Sequence, residues 1–132
     1  MMPEPWSDLF LDRHTRATHV TVLTGAGISA ESGIPPFRDP GGIWDTIDPK
    51  ELSNIDAFLA NPSLVQSRFA YRAGVVKEAA HTPAHLALVQ LERLLRDDGR
   101  SFTLITQNVD NLHSAAGHRR VLELHGHQHR KY

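Results

Sequence analysis

The stretch HVTVLTGAGISAESGIPPFRDPGGIWD, residues 19–45 of a 132-residue chain, decides the fold. Val20, Val22 and Leu23, interleaved with threonines, predict a short buried strand. Gly25, Ala26 and Gly27 then turn the chain tightly, and Ile28 to Gly33 are placed to open a helix. Glycines in such a turn let backbone N–H groups approach an anion closely. The spacing GAGISA fits G-x-G-x-x-A, the small-residue form of the dinucleotide fingerprint, although a plain strand-to-helix turn can look the same.

The residues after Gly33 separate this unit from an ordinary Rossmann repeat, which continues its helix, enters a second strand and places an acid about 20 residues on. Here Pro35, Pro36, Pro40, Gly41 and Gly42 forbid a long helix, and no strand-like run appears until Ser101 to Thr106. Ile34 to Trp44 therefore reads as a long binding loop or lid carrying Phe37, Arg38, Asp39 and Trp44. The expected site is a modified nucleotide site, not that of an ordinary dehydrogenase.

Fourteen Lys and Arg against fifteen Asp and Glu give a formal net charge of −1, with no electrostatic footprint of a nucleic-acid or membrane partner. There is no apolar run of membrane-spanning length, and MMPEPWSDLF lacks the basic and apolar regions of a secretory signal. Cysteine is absent, which excludes disulfides and thiolate metal sites. A soluble cytoplasmic protein is the default expectation.

Residues 1–18 read as an N-terminal arm with a short helix ending near Ala17, and residues 19–132 as the main unit, with a helical insertion at about 46–80. Asp48-Pro49 and Asn61-Pro62 are helix-start signals, and Ser63 to Val76 should form a helix bearing Arg68, Phe69, Tyr71 and Arg72. Thr82-Pro83 begins another, with Ala84, Leu88, Leu91 and Leu95 as its apolar stripe and Gly99 as its stop. Phe102, Leu104 and Ile105 predict a second strand, and Val121 to Leu124 a third. This order implies an α/β fold: an incomplete Rossmann-like parallel sheet with a helical insertion between its first two strands. Ligands of such sheets bind at the carboxyl edge. There the sequence places GAG after strand one, TQNVDN after strand two and HGH after strand three. Taken singly, Asn108 or Asp110 is more simply a helix cap, and His125 a strand-end histidine.

Together and in this order, GAGISAESGIPPFRDPGGIWD, TQNVDNLHSAAG and ELHG resemble the signature segments of the sirtuins, NAD-dependent protein lysine deacylases, from about Val20 to Gly126. The resemblance implies that Gly25, Ala26, Gly27 and Ser29 hold the NAD diphosphate, with Arg38 contacting phosphate and Phe37 shielding the reactive ribose face. It further implies that Gln107 and Asn108 orient the nicotinamide ribose, that Asp110 binds the carboxamide and that His125 is the general base, with Asn108 and His125 as the catalytic pair. The implied reaction consumes NAD as co-substrate: the acyl oxygen of a modified lysine displaces nicotinamide, and the acyl group ends on ADP-ribose. Some sirtuins that prefer acidic acyl groups carry Tyr-x-x-Arg on the insertion helix. The corresponding residues here, Phe69 and Arg72, are the expected substrate-binding pair, with succinyl and acetyl preference both open.

The chain departs from the family pattern in two ways. Zinc is expected for the family, but the four-cysteine ribbon that begins soon after ELHG is absent, as are the later strands that hold adenosine. The alternating His125, His127 and His129, and the pair His81 and His85, make poor substitutes, so no metal site is expected. The expected partner is an acyl-lysine protein, with a C-terminal half as the missing complement. The isolated chain should be marginally stable and weakly active or inactive. The competing expectation is a truncated, non-catalytic relative that binds a nucleotide or a partner.

Overall fold

The computed structural model describes residues 7–34, 48, 50 and 54–127. Phe37, Arg38, Asp39 and Trp44 of the expected lid, and His129, lie outside the described residues.

Three strands, β1 (His19–Thr24), β2 (Ser101–Thr106) and β3 (Val121–Glu123), form a parallel sheet in the order β1-β2-β3. Thr24 is in register with Thr106, so both strands end at one level and their loops emerge side by side. The links out of β1 and β2 are drawn together by main-chain bonds: Gln107 N–H donates to Thr24 O at 3.0 Å, and Leu124 N–H to Thr106 O at 2.9 Å.

The first helix, α1 (Asp8–Arg16), is capped by Ser7, whose hydroxyl accepts the Phe10 N–H. Arg100, at the entrance to β2, clasps its far end by donating to Ala17 O and His14 O. Leu9, Phe10 and Leu11 remain exposed. After β1 the expected helix is a 3-10 helix, Ala26–Ser32, stopped by Gly33 in the left-handed conformation at φ 80°. Two helices of the insertion come next, α2 (Ile55–Ala60) and α3 (Pro62–Glu78), with Asn61 capping α3 and Pro62 in its first turn.

Helix α4 (Pro83–Asp97) starts with a capping box: His85 N–H donates to Thr82 Oγ1, and Thr82 N–H donates back to His85 Nδ1 at 2.9 Å. This corrects the expected stripe. His85, Val89 and Leu95 are the buried positions, while Ala84 is exposed and Leu88 and Leu91 are only half-buried. The box turns the His85 ring inward and rotates the buried face away from the pattern of leucines. The bond engages Nδ1 of His85, which is buried, whereas His81 is exposed. Helix α5 (Leu112–Ala116) then leads through Gly117, at φ 112°, into β3.

Ile34, Val76 and Leu112 form the apolar cluster, with Ala79 packed against it. It joins the end of the 3-10 segment, α3 and α5 just beneath the carboxyl edge of the sheet. The core thus braces the loops that carry the polar residues.

Candidate functional site

A cavity of about 200 Å³ lies at the carboxyl edge of the sheet, lined by Ala26, Ser29, Ile34, Arg72, Val76, Gln107, Asn108, Val109, Asp110 and His125. Its polar members come from separate breaks in regular structure. Ser29 sits in the 3-10 helix after β1, Gln107 to Asp110 in the link after β2, and His125 just past β3. A parallel sheet brings these tips together because every strand exits the same way.

Ser29 is the pivot. Its hydroxyl donates to Asp110 Oδ2 at 2.6 Å and lies 3.4 Å from Asn108 Nδ2, which can donate to it. Asn108 Nδ2 also donates to Gly25 O at 3.0 Å, tying the glycine turn to the β2 link. Asp110 accepts the Leu112 N–H on Oδ1 at 3.0 Å. It therefore serves both as the cap-like group of the simpler reading and as the anchor for Ser29. The turn between these roles is tight: Asn111 stands at φ 62°, a left-handed conformation that asparagine tolerates.

His125 Nδ1–H donates to Gln107 O at 3.0 Å. That bond selects the tautomer and leaves Nε2 as the basic nitrogen. The residue is exposed, so the base meets solvent from the open side of the cavity. At Gly25 and Gly27 an added Cβ would meet nothing within 4 Å, so the turn borders open space of the kind a ligand phosphate can occupy. The volume is below the usual range of roughly 300–1,000 Å³ for a ligand pocket, and suits one end of a dinucleotide.

Arg72 enters the lining from α3, where burial pushes its guanidinium below the ordinary arginine range and Asp110 acts against the shift. Its expected companion does not. Phe69 is 46% exposed and is not among the residues lining the cavity. Of the expected substrate pair, only Arg72 lines this cavity. Tyr71 is more exposed still.

Some contributors were not singled out among the candidate site residues. Ile34, Val76 and Val109 supply the apolar wall. Behind the site lies a cluster of buried rings, with His85 and His113 at 4.8 Å and His113 and His118 at 5.4 Å between centroids, all edge-on. His118 Nδ1 is bonded to Glu92 Oε2 at 2.6 Å. Burial, helped by the neighbouring His85 and His118 and opposed by Asp110, lowers the His113 pKa to about 4. His85 is lowered chiefly by burial, with Asp110 opposing and His81 and His118 adding to it. The only local signal for this cluster was a histidine in each of three separate segments.

The profile of the Sir2 family matches residues 25–131. The chain belongs to the Sir2 family. Among its relatives is the zebrafish mitochondrial NAD-dependent protein deacylase sirtuin-5, 45% identical over 127 residues, which cover 95% of this chain and 42% of that protein. Another is the NAD-dependent protein deacylase of Thermus thermophilus, 48% identical over 114 residues, covering 86% of this chain and 45% of that one. Among solved structures, a Sir2 homologue–NAD complex superposes with a TM-score of 0.78 at 44% identity, covering 92% of this chain and 46% of the other. The Sir2-family chain thus spans less than half the length of the relatives it matches. The cytoplasmic default drawn from composition is overturned, since the zebrafish relative is a mitochondrial protein. Near-neutral charge and a missing signal pattern carry no information about organelles. No helix among the described residues is long and apolar enough to cross a membrane.

Proposed function

We propose that the cavity takes the nicotinamide-ribose end of NAD and that the protein acts as an NAD-dependent protein lysine deacylase. One observation supports this above the others: Ser29, Asn108, Asp110 and His125, from three strand tips, line a single cavity. NAD supplies an electrophilic ribose carbon with nicotinamide as leaving group. The chain's part is binding, orientation and one proton transfer.

Gly25, Ala26 and Gly27 form the open turn that approaches the diphosphate, and the family resemblance gives Arg38 a phosphate contact and Phe37 the shielding of the ribose. Asn108 has its amide nitrogen committed to Gly25 and Ser29, which leaves Oδ1 to accept a ribose hydroxyl. Asp110 keeps lone pairs beyond those engaged by Ser29 and Leu112 and can accept a carboxamide N–H. Ser29, whose hydroxyl donates to Asp110, acts mainly by holding the two loops in register. Gln107, through its carbonyl, holds His125 in the tautomer whose Nε2 removes a ribose hydroxyl proton. Arg72, at the cavity wall, would pair with the carboxylate of a succinyl-type acyl group.

The test is nicotinamide release by the purified chain from NAD with succinyl-lysine or acetyl-lysine peptides. The proposal expects release that depends on peptide and is lost in His125→Ala. NAD binding without release would favour a non-catalytic nucleotide-binding module, and the absence of both would overturn the assignment.

A further inference from the structure

Thr24 and Thr106 close β1 and β2 at the same register, and both side chains are buried. Thr24 Oγ1 donates to Thr106 Oγ1 at 2.8 Å. A hydroxyl has one proton, so the second contact of Thr24, at 2.8 Å to His113 Nε2, is a bond that Thr24 accepts. His113 must then carry its proton on Nε2. Thr106 Oγ1 in turn accepts the backbone N–H of Asn108 at 3.1 Å, a turn closed by a threonine hydroxyl. The result is one continuous run of bonds that meets at Thr106 Oγ1, an acceptor from both sides, and links a ring on α5, across two strand ends, to the residue whose side chain joins Gly25 and Ser29.

The ring is suited to this work because it stays neutral. It is 2% exposed, and Nδ1 has no hydrogen-bond partner among the described residues. A second proton there would sit in a dry space beside His85 and His118, with Asp110 the nearest opposing charge and Glu92 engaged by His118. Its depressed pKa keeps the ring neutral throughout the neutral range, and the contact with Thr24 is what fixes its one proton on Nε2.

We propose that His113 is a positioning residue for Asn108, acting through Thr24 and Thr106 to set the turn that presents the asparagine to the cavity. The functional meaning rests on reading that cavity as an NAD site; the bond relay itself does not. The experiment is therefore read first without nucleotide, as amide hydrogen exchange at Asn108 in the purified chain. It compares the native protein with His113→Leu, His113→Gln and Thr24→Val. His113→Leu should speed Asn108 exchange by about tenfold, as expected for one lost internal hydrogen bond. His113→Gln, which restores an N–H near the position of Nε2, should return it toward the native rate. Thr24→Val keeps shape but breaks the relay, so it should match His113→Leu and stands in for it if that variant fails to fold. Unchanged exchange in folded His113→Leu or Thr24→Val overturns the proposal. So does equal exchange in the Gln and Leu variants, which would make the ring a space-filler. NAD affinity is the second readout, falling in parallel with exchange. A native chain that binds no NAD refutes the nucleotide reading while leaving the exchange result to judge the relay.

Discussion

Ser29 Oγ donates to Asp110 Oδ2 across 2.6 Å, joining two buried side chains eighty-one residues apart in the chain. This bond links the turn after β1 to the link after β2. It also makes Ser29 a point on which Asn108 converges.

Removing that hydroxyl leaves a buried carboxylate short of a donor. Ser29→Ala should lower stability by about 1–3 kcal/mol, read from the urea midpoint. Asp110→Asn should cost a comparable amount. The double variant should cost less than the sum by at least about 0.5 kcal/mol, since each change alone already breaks the bond.

His125 separates structure from chemistry. His125→Asn retains an N–H able to reach the Gln107 carbonyl but has no counterpart of Nε2. Thermal melts should be nearly unchanged, because the side chain is exposed. If the proposed reaction runs in this chain, nicotinamide release should fall by about 10²–10⁴-fold, the usual worth of a general base.

The histidine cluster dictates a pH dependence of stability. His113 titrates near 4 in the folded chain, against an ordinary value of 6.5, and His85 is shifted the same way. Between those values the unfolded chain binds the extra proton and the folded chain does not. The contribution is therefore complete above about pH 6.5 and is lost as pH falls toward 4, by up to about 3 kcal/mol for His113. Urea melts at a series of pH values should show this slope, and His113→Gln should flatten it.

Thr82 caps α4 and also donates to Ile28 O at 3.2 Å, so it fastens the helix to the 3-10 segment. Thr82→Ala should cost about 1–2 kcal/mol, at the upper end for a lost cap. Thr82→Ser should recover most of it in the same thermal melts.

Arg72 offers a specificity test. Arg72→Gln should raise KM for a succinyl-lysine peptide by about tenfold or more, the worth of a charge-assisted bond. KM for an acetyl-lysine peptide should change little. Equal effects on both peptides would give Arg72 a structural role instead.

Much of the architecture could be read before any coordinates. The alternation in HVTVLT and SFTLIT, the proline-followed caps at Asn61 and Thr82 and the stop at Gly99 are local signals, and each element stands where its signal placed it. The polar groups of the site were legible for the same reason: each comes directly after a strand, and parallel strands share one exit edge. The inward face of α4 was legible only in part. Leu95 of the expected stripe is buried, but the bond between His85 Nδ1 and the Thr82 N–H turned a polar ring to the interior, and Leu88 and Leu91 are only half-buried.

The sequence by itself determined the order of strands and helices and which residues lie at strand tips, because propensity, caps and periodicity act over a few neighbouring positions. Only the tertiary structure decided that Phe69 stands outside the cavity while Arg72 lines it, and that His85, His113 and His118 share a buried nest. It also decided that the Ser29 hydroxyl donates its hydrogen bond to Asp110. These depend on helix rotation and on distances between segments tens of residues apart, which are set when the sheet closes and the dry interior forces every buried donor to find an acceptor.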